Sequence, residues 1–172
     1  KKEVVMTNPA ELKVFISCPG DVNDEKQELK KFITTFSQET EREYSIKLIS
    51  VTWEQDARRG PGRPQKSINE LVDECHIYIG LMGKRFGGST GVFQSGTHEE
   101  YAGAFHKWER EQRPEMRFFF KKVSISMDAP DEDFEQASLI RQIKKTIEPH
   151  FFYDTFIDSN DLIQKTKMEL IG

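Results

Sequence analysis

Strand-like and helix-like segments alternate along the whole of this 172-residue chain, and that alternation limits the folds open to it more than any single motif does. The first strand signal is Lys13-Val14-Phe15-Ile16-Ser17-Cys18, a short apolar, β-branched run stopped by Pro19-Gly20. Asp21 or Asn23 then stands where a cap is needed for a long helix that repeats Val22, Leu29, Phe32, Ile33 and Phe36 on one face. Ser45 to Trp53 reads as the second strand, Ser67 to Glu74 as a short helix and His76 to Met82 as a near-continuously apolar, hence central, third strand. Met116 to Phe120 and His150 to Phe156 supply two more strands, with helices over Phe134–Ile147 and Asn160–Leu170. Strands that are each followed by a helix predict an α/β fold of flavodoxin-like type. It is an open, five-stranded parallel sheet of order 2-1-3-4-5 with helices on both faces. One domain over residues 13–172 accounts for the pattern, and the polar residues 1–12 read as a flexible leader.

Composition narrows the function. A hydrophobic content of 36% and a charged content of 31% describe a chain with a real core, and no apolar run approaches the roughly 18 residues of a membrane span. The net charge of −4, with Lys and Glu interspersed, argues against nucleic acid as partner, because neutralising phosphates needs a basic face. Cys18 and Cys75, the two cysteines, have no metal-ligand spacing and read as reduced thiols of a cytoplasmic protein. His76, His98, His106 and His150 form no triad or metal grouping, so no metal is expected.

One residue breaks the helical pattern. From Ser95 to Trp108, helical spacing puts Thr97, Glu100, Tyr101, Ala104, Phe105 and Trp108 on the inward stripe and leaves Glu99, Ala102, Gly103 and His106 on other sides. Glu100 is a carboxylate among apolar partners, which is costly unless it is hydrogen-bonded, opens to a cleft or serves chemistry. In an open α/β sheet, ligands sit beyond the carboxyl ends of the strands, where the strand order reverses. The turn after the first strand (Ser17, Cys18, Pro19, Gly20, Asp21), the end of the second (Trp53, Glu54), the glycine loop after the third and the start of the Glu100 helix all converge there.

A single fixed carboxylate at that edge suits cleavage of a glycosidic bond to a good leaving group. As positive charge grows on the sugar, the carboxylate stabilises the transition state more than the ground state, or attacks the anomeric carbon. Glu54 and Asp21 are candidates for substrate contact by loop position, with capping or exposure as the alternative role. Gly83-Lys84-Arg85-Phe86-Gly87-Gly88-Ser89-Thr90-Gly91 offers backbone amides to a phosphate, with charge from Arg85, or else is a connector. It matches neither a Walker A loop nor a G-x-G-x-x-G fingerprint. The loop Arg58 to Pro64 is either an anion or subunit contact or an exposed turn. Ser17, Cys18 and Ser95 have no companion His in a nucleophile motif, which argues against acyl transfer.

Several ordered motifs resemble those of a bacterial TIR-like domain family. They are Val14-Phe15-Ile16-Ser17-Cys18-Pro19-Gly20-Asp21-Val22, Trp53-Glu54, Pro64-Gln65, Gly83-Lys84-Arg85-Phe86-Gly87 and Ser95-Gly96-Thr97-His98-Glu99-Glu100-Tyr101. Such domains often precede STAND-type NTPases and other prokaryotic immune proteins. The Gly96-Thr97-x-x-Glu100 spacing is also similar to the nucleoside 2-deoxyribosyltransferase family, whose glutamate in that motif is the nucleophile on deoxyribose.

The resemblance implies cleavage of the nicotinamide-ribose bond of NAD, which is substrate and not cofactor. It makes Glu100 the catalytic residue and Ser17, Cys18, Pro19, Gly20 and Asp21 the lining of the pocket, while Trp53, Glu54, Arg85, Gly87 and Thr97 join them as substrate-binding candidates by their position. It also implies activity on self-assembly, with residues 54–65 in the position of the loop that TIR domains use for assembly, and a downstream NTPase or sensor domain in a longer protein. Where many TIR enzymes carry a Trp-Cys pair before the glutamate, this chain has Gly96-Thr97-His98-Glu99. The alternatives are a nucleoside or nucleotide N-glycosidase or transferase using the same glutamate, and a non-catalytic adaptor that signals by homotypic contact.

Overall fold

The computed structural model describes residues 8–53, 66–86 and 96–172. Within them β1 (Ala10–Ser17), β2 (Ile46–Val51), β3 (Ile77–Met82), β4 (Glu115–Lys121) and β5 (Tyr153–Phe156) form one sheet in the order β2-β1-β3-β4-β5. Every neighbouring pair is parallel. The helices are α1 (Asn23–Tyr44), α2 (Lys66–Glu74), α3 (Gly96–Glu111), α4 (Asp131–Ile147) and α5 (Ser159–Ile171). The expected flavodoxin-like α/β architecture is therefore the observed one. No described helix is long and apolar enough to cross a membrane.

Register explains which side chains meet. Phe15 pairs with Val51 and Tyr78, and Tyr78 pairs with Met116, so these four share one face of the sheet. Two residues further toward the carboxyl edge, Ser17, Gly80, Phe118 and Tyr153 form the next row on that face. Val72 of α2, Tyr101 and Ala104 of α3, and Ile140, Ile143 and Ile147 of α4 cover it. On the opposite face Val14, Ile16, Leu48, Ile79, Leu81 and Phe119 meet Leu29, Ile33 and Phe36 of α1 and Leu162 of α5. Each such fully buried side chain contributes roughly 1.5–3 kcal/mol of transfer free energy.

Several boundaries differ from the sequence reading, among them β2, which ends at Val51 and not Trp53, and α4, which begins at Asp131 and not Phe134. β1 begins at Ala10, so Ala10, Glu11 and Leu12, expected in the leader, pair with Ile46, Lys47 and Leu48. β5 begins only at Tyr153, because the amides of His150 and Phe151 turn back to the carbonyl of Ile147 (2.9 and 2.8 Å) and close the end of α4. α1 starts through a short 3₁₀ turn, Gly20–Val22, with Val22 at the N-cap and no side-chain cap bond, so neither Asp21 nor Asn23 caps it. Asp21 has another task.

Candidate active site at the switch point between β1 and β3

Ser17 ends β1, and Glu100 lies in the second turn of α3, where Thr97, Glu100, Tyr101 and Ala104 of the expected stripe are buried, Phe105 and Trp108 are half-buried against the same core, Lys107 is buried as well and His106 is exposed. The Ser17 hydroxyl donates a hydrogen bond to the Glu100 carboxylate at Oε2. Both groups are withdrawn from water, at 1% and 8% exposure. A carboxylate so deep in a core is tolerable only with such a partner. Glu99, one residue earlier, is half-buried on a different side of the helix.

The floor under this pair is made by an absent side chain. Gly80 sits opposite Ser17 in the β1–β3 register, and a Cβ there would stand 2.8 Å from Cδ1 of Phe118 and 3.3 Å from Cε1 of Tyr78. The Phe118 ring thus lies over the glycine and leaves the end of β1 to Ser17. The fully buried Tyr78 hydroxyl faces the same polar pair. Burial first, then the negative charge of Glu100, holds its pKa well above the usual tyrosine value. Its interaction with the Ser17 hydroxyl pulls the other way, though without good hydrogen-bond geometry, and the Tyr101 hydroxyl and the Trp53 indole N–H have no hydrogen-bond partner among the described residues. Burial also pushes the Tyr101 hydroxyl up to about 12, with a smaller contribution from Glu109.

A second set of contacts ties the loops together. The Asp21 carboxylate accepts the backbone N–H groups of Lys84 (2.7 Å) and Arg85 (3.1 Å), which joins the turn after β1 to the turn after β3. Gly83 permits this approach, since a Cβ there would lie 2.6 Å from Asp21 Oδ2 and 2.7 Å from Val22 Cγ1. The turn is held from the other side by α4. The Phe86 N–H donates to Gln136 Oε1 (2.7 Å), and Asp133 pairs with Lys84 Nζ (2.6 Å) and Arg85 Nη2 (3.5 Å). The hydrogen bond from Lys84 is the main reason that the Asp133 carboxyl sits below its ordinary pKa.

These contacts redistribute the predicted site. Ser17 and Glu100 meet directly, Thr97 is buried in the first turn of α3, and Trp53 packs half-buried against the aromatic core. Pro19 is buried, Gly20 is exposed, and half-buried Cys18 points its thiol at the carbonyl of Val22 (3.9 Å). Asp21 spends its carboxylate on two amides and acts as a clamp. Arg85 turns its guanidinium toward Asp133 and Glu132 of α4 (3.5 and 3.8 Å) with half of the side chain exposed. Glu54, Gly87 and the loop 58–64 lie outside the described residues. Among the described residues no cluster of His, Cys, Asp and Glu is arranged to hold a metal ion.

Sequence reasoning missed Tyr78, Asp133 and Gln136. Tyr78 was legible only as one more apolar position in a buried strand. Asp133 and Gln136 fell in a helix read for its apolar face, and nothing local marks them as anchors for a loop 50 residues away.

The molecule is thus an open parallel α/β protein with a hydrogen-bonded carboxylate buried at its switch point. It belongs to the domain-of-unknown-function family DUF4062, whose model matches residues 13–171. Two crystal structures of S. aureus homoserine dehydrogenase, at pH 6.5 and pH 6.0, overlap 86% and 88% of this chain with TM-scores of 0.39 and 0.36, at 10% and 11% identity. The chain spans only 32% and 33% of those dehydrogenase chains, and so loose a likeness carries no argument about activity. No curated protein matches the sequence.

Proposed function

We propose that this domain is a TIR-like N-glycosidase that cleaves the bond between nicotinamide and ribose in NAD, with Glu100 as the catalytic carboxylate. The observation that carries the reading is the hydrogen bond from Ser17 to a Glu100 buried at the carboxyl edge of the sheet. A fixed carboxylate stabilises an oxocarbenium-like transition state because it needs no reorganisation as the charge develops. In the reaction the anomeric C–N bond breaks and its electron pair leaves with nicotinamide, a neutral base. Glu100 offsets the positive charge on the ribose, directly or by transient attack at the anomeric carbon. Water then supplies the hydroxyl group at that carbon and releases a proton. Because the leaving group needs no proton, one carboxylate suffices. The Ser17 hydroxyl orients it.

The ordered motifs support placing this activity in an immune effector that works when assembled, attached to an NTPase or sensor domain. Cys18 and Cys75, which share no disulfide, fit a reducing cytoplasm. The Gly96-Thr97-x-x-Glu100 spacing favours one second reading, transfer or hydrolysis of a nucleoside through the same glutamate.

Concentrated protein incubated with NAD and, separately, with deoxynucleosides, with and without a crowding agent, tests this by chromatography of the free base. Glu100→Gln keeps an acceptor for Ser17 and should fold normally, yet lower base release at least 100-fold. Glu99→Gln should retain activity within about threefold. Release from deoxynucleosides alone selects the second reading. Equal losses in the two variants move the catalytic assignment away from Glu100, and no release under any condition, with self-association intact, leaves an adaptor.

A further inference from the structure

A cavity of about 580 Å³ opens beside the switch point, over the carboxyl ends of β3 and β4 and against α4. Its volume lies within the range of small-molecule sites, roughly 300–1,000 Å³. Its charge is one-sided. Lys84, Lys121, Lys122, Arg141 and Lys144 line it, and no described acidic side chain does. Two of these cations are already committed, Lys84 to Asp133 (2.6 Å) and Lys121 to the buried Glu25. Lys122, Arg141 and Lys144 make no ion pair with any described residue. Lys144 is instead held at 4.6 Å over the Phe120 ring, which fixes its ammonium at the wall.

Most of the rest of the lining is apolar. Phe120 and Ile140 form a buried floor, and Phe134 also lines the cavity with 39% of its surface exposed. Arg141 and Lys144, with Lys122 at the rim near Asp161, gather positive charge that an anion in the cavity would offset. An aromatic wall adds affinity for a planar apolar group.

The geometry points to a binding site for a nucleoside polyphosphate in this cavity, with its phosphates at Lys122, Arg141 and Lys144 and its base against Phe134. The site lies on residues other than the Ser17–Glu100 pair, so it stands or falls independently of glycosidase activity. Isothermal titration calorimetry with ATP, adenosine and inorganic tripolyphosphate as separate ligands tests it. ATP is expected to bind at low salt and to weaken as salt rises. Adenosine should bind at least tenfold more weakly than ATP. The double variant Arg141→Gln/Lys144→Gln, which keeps the side-chain stems, should weaken ATP at least tenfold while circular dichroism shows an unchanged fold. Phe134→Ala should weaken ATP without changing tripolyphosphate. Absence of ATP binding at millimolar concentration, or an ATP affinity indifferent to the double variant, overturns the site. Equal affinity for tripolyphosphate and ATP overturns the assignment of a nucleoside.

Discussion

The two faces of the sheet share the same strands but differ in what they bury. Under α1 and α5 the core is mainly aliphatic, and its buried polar groups find partners. The Ser37 hydroxyl accepts the Leu48 N–H (2.8 Å), Thr40 donates to the Ile46 carbonyl (2.8 Å) and Thr166 to the Leu162 carbonyl (2.8 Å). The face under α2, α3 and α4 is built from stacked and edge-on rings, among them Phe15, Tyr78, Tyr101, Phe118 and Phe151. Each face buries a carboxylate, Glu100 here on the Ser17 hydroxyl and Glu25 of α1 on Lys121, but on this face the Trp53 indole N–H and the Tyr101 hydroxyl have no hydrogen-bond partner among the described residues. Each such group costs about 1–3 kcal/mol when left unsatisfied. One face thus maximises stability and the other gives part of it up. That imbalance is what a fold shows where a buried polar site is kept for chemistry.

The largest expected effect tests the first half of this contrast. Leu29, fully buried in α1, has no polar role, and Leu29→Ala should destabilise the protein by about 2–5 kcal/mol through lost transfer energy and a cavity. Urea denaturation measures it. Base release by the molecules still folded should be unchanged. A loss under about 1 kcal/mol would show that the aliphatic face is looser than its burial implies.

Gly80→Ala probes the other face at intermediate size. The new methyl group must displace the Phe118 ring from 2.8 Å, an overpacking expected to cost about 1–3 kcal/mol. Since Ser17 lies directly across the strand pair, the ring has to move near the Ser17–Glu100 bond. Activity should therefore fall further than stability alone explains, in contrast to Leu29→Ala. Full activity at reduced stability would detach Gly80 from the site.

The fold was legible because its signals are periodic and local. The unbroken apolar runs at β1 and β3 and the 3.6-residue stripe of α1 each specify a buried element without reference to the rest of the chain. The burial of Glu100 was legible for the same reason, as a charge on an otherwise apolar stripe. Its partner was less so. Ser17 appeared as part of a turn, and only the β1–β3 register brings its hydroxyl to a glutamate 83 residues away. Asp21 and Arg85 show the limit more sharply. Both are polar residues at the correct edge of the sheet, yet each is satisfied by a partner that lies far along the chain, Asp21 by the amides after β3 and Arg85 by the start of α4. Edge position follows from topology, whereas the choice between ligand and internal partner is settled by distances that no local pattern encodes.

The smallest effects give the cleanest contrast because they differ between the faces. Ser37→Ala leaves the buried Leu48 N–H without its acceptor and should cost about 1 kcal/mol or somewhat more, seen as a lower denaturation midpoint. Tyr78→Phe removes a hydroxyl that meets Ser17 only at poor geometry and faces the charge of Glu100, so its stability should be close to unchanged. The ring itself remains, stacked at 6.0 Å on Phe15 and tilted against Phe118, so packing is preserved. If Tyr78→Phe instead destabilises by as much as Ser37→Ala, its hydroxyl is satisfied in solution and the two faces are alike in this respect. If stability holds while base release falls, the hydroxyl belongs to the working site, and its poor satisfaction in the folded chain reflects a partner that arrives only with the substrate.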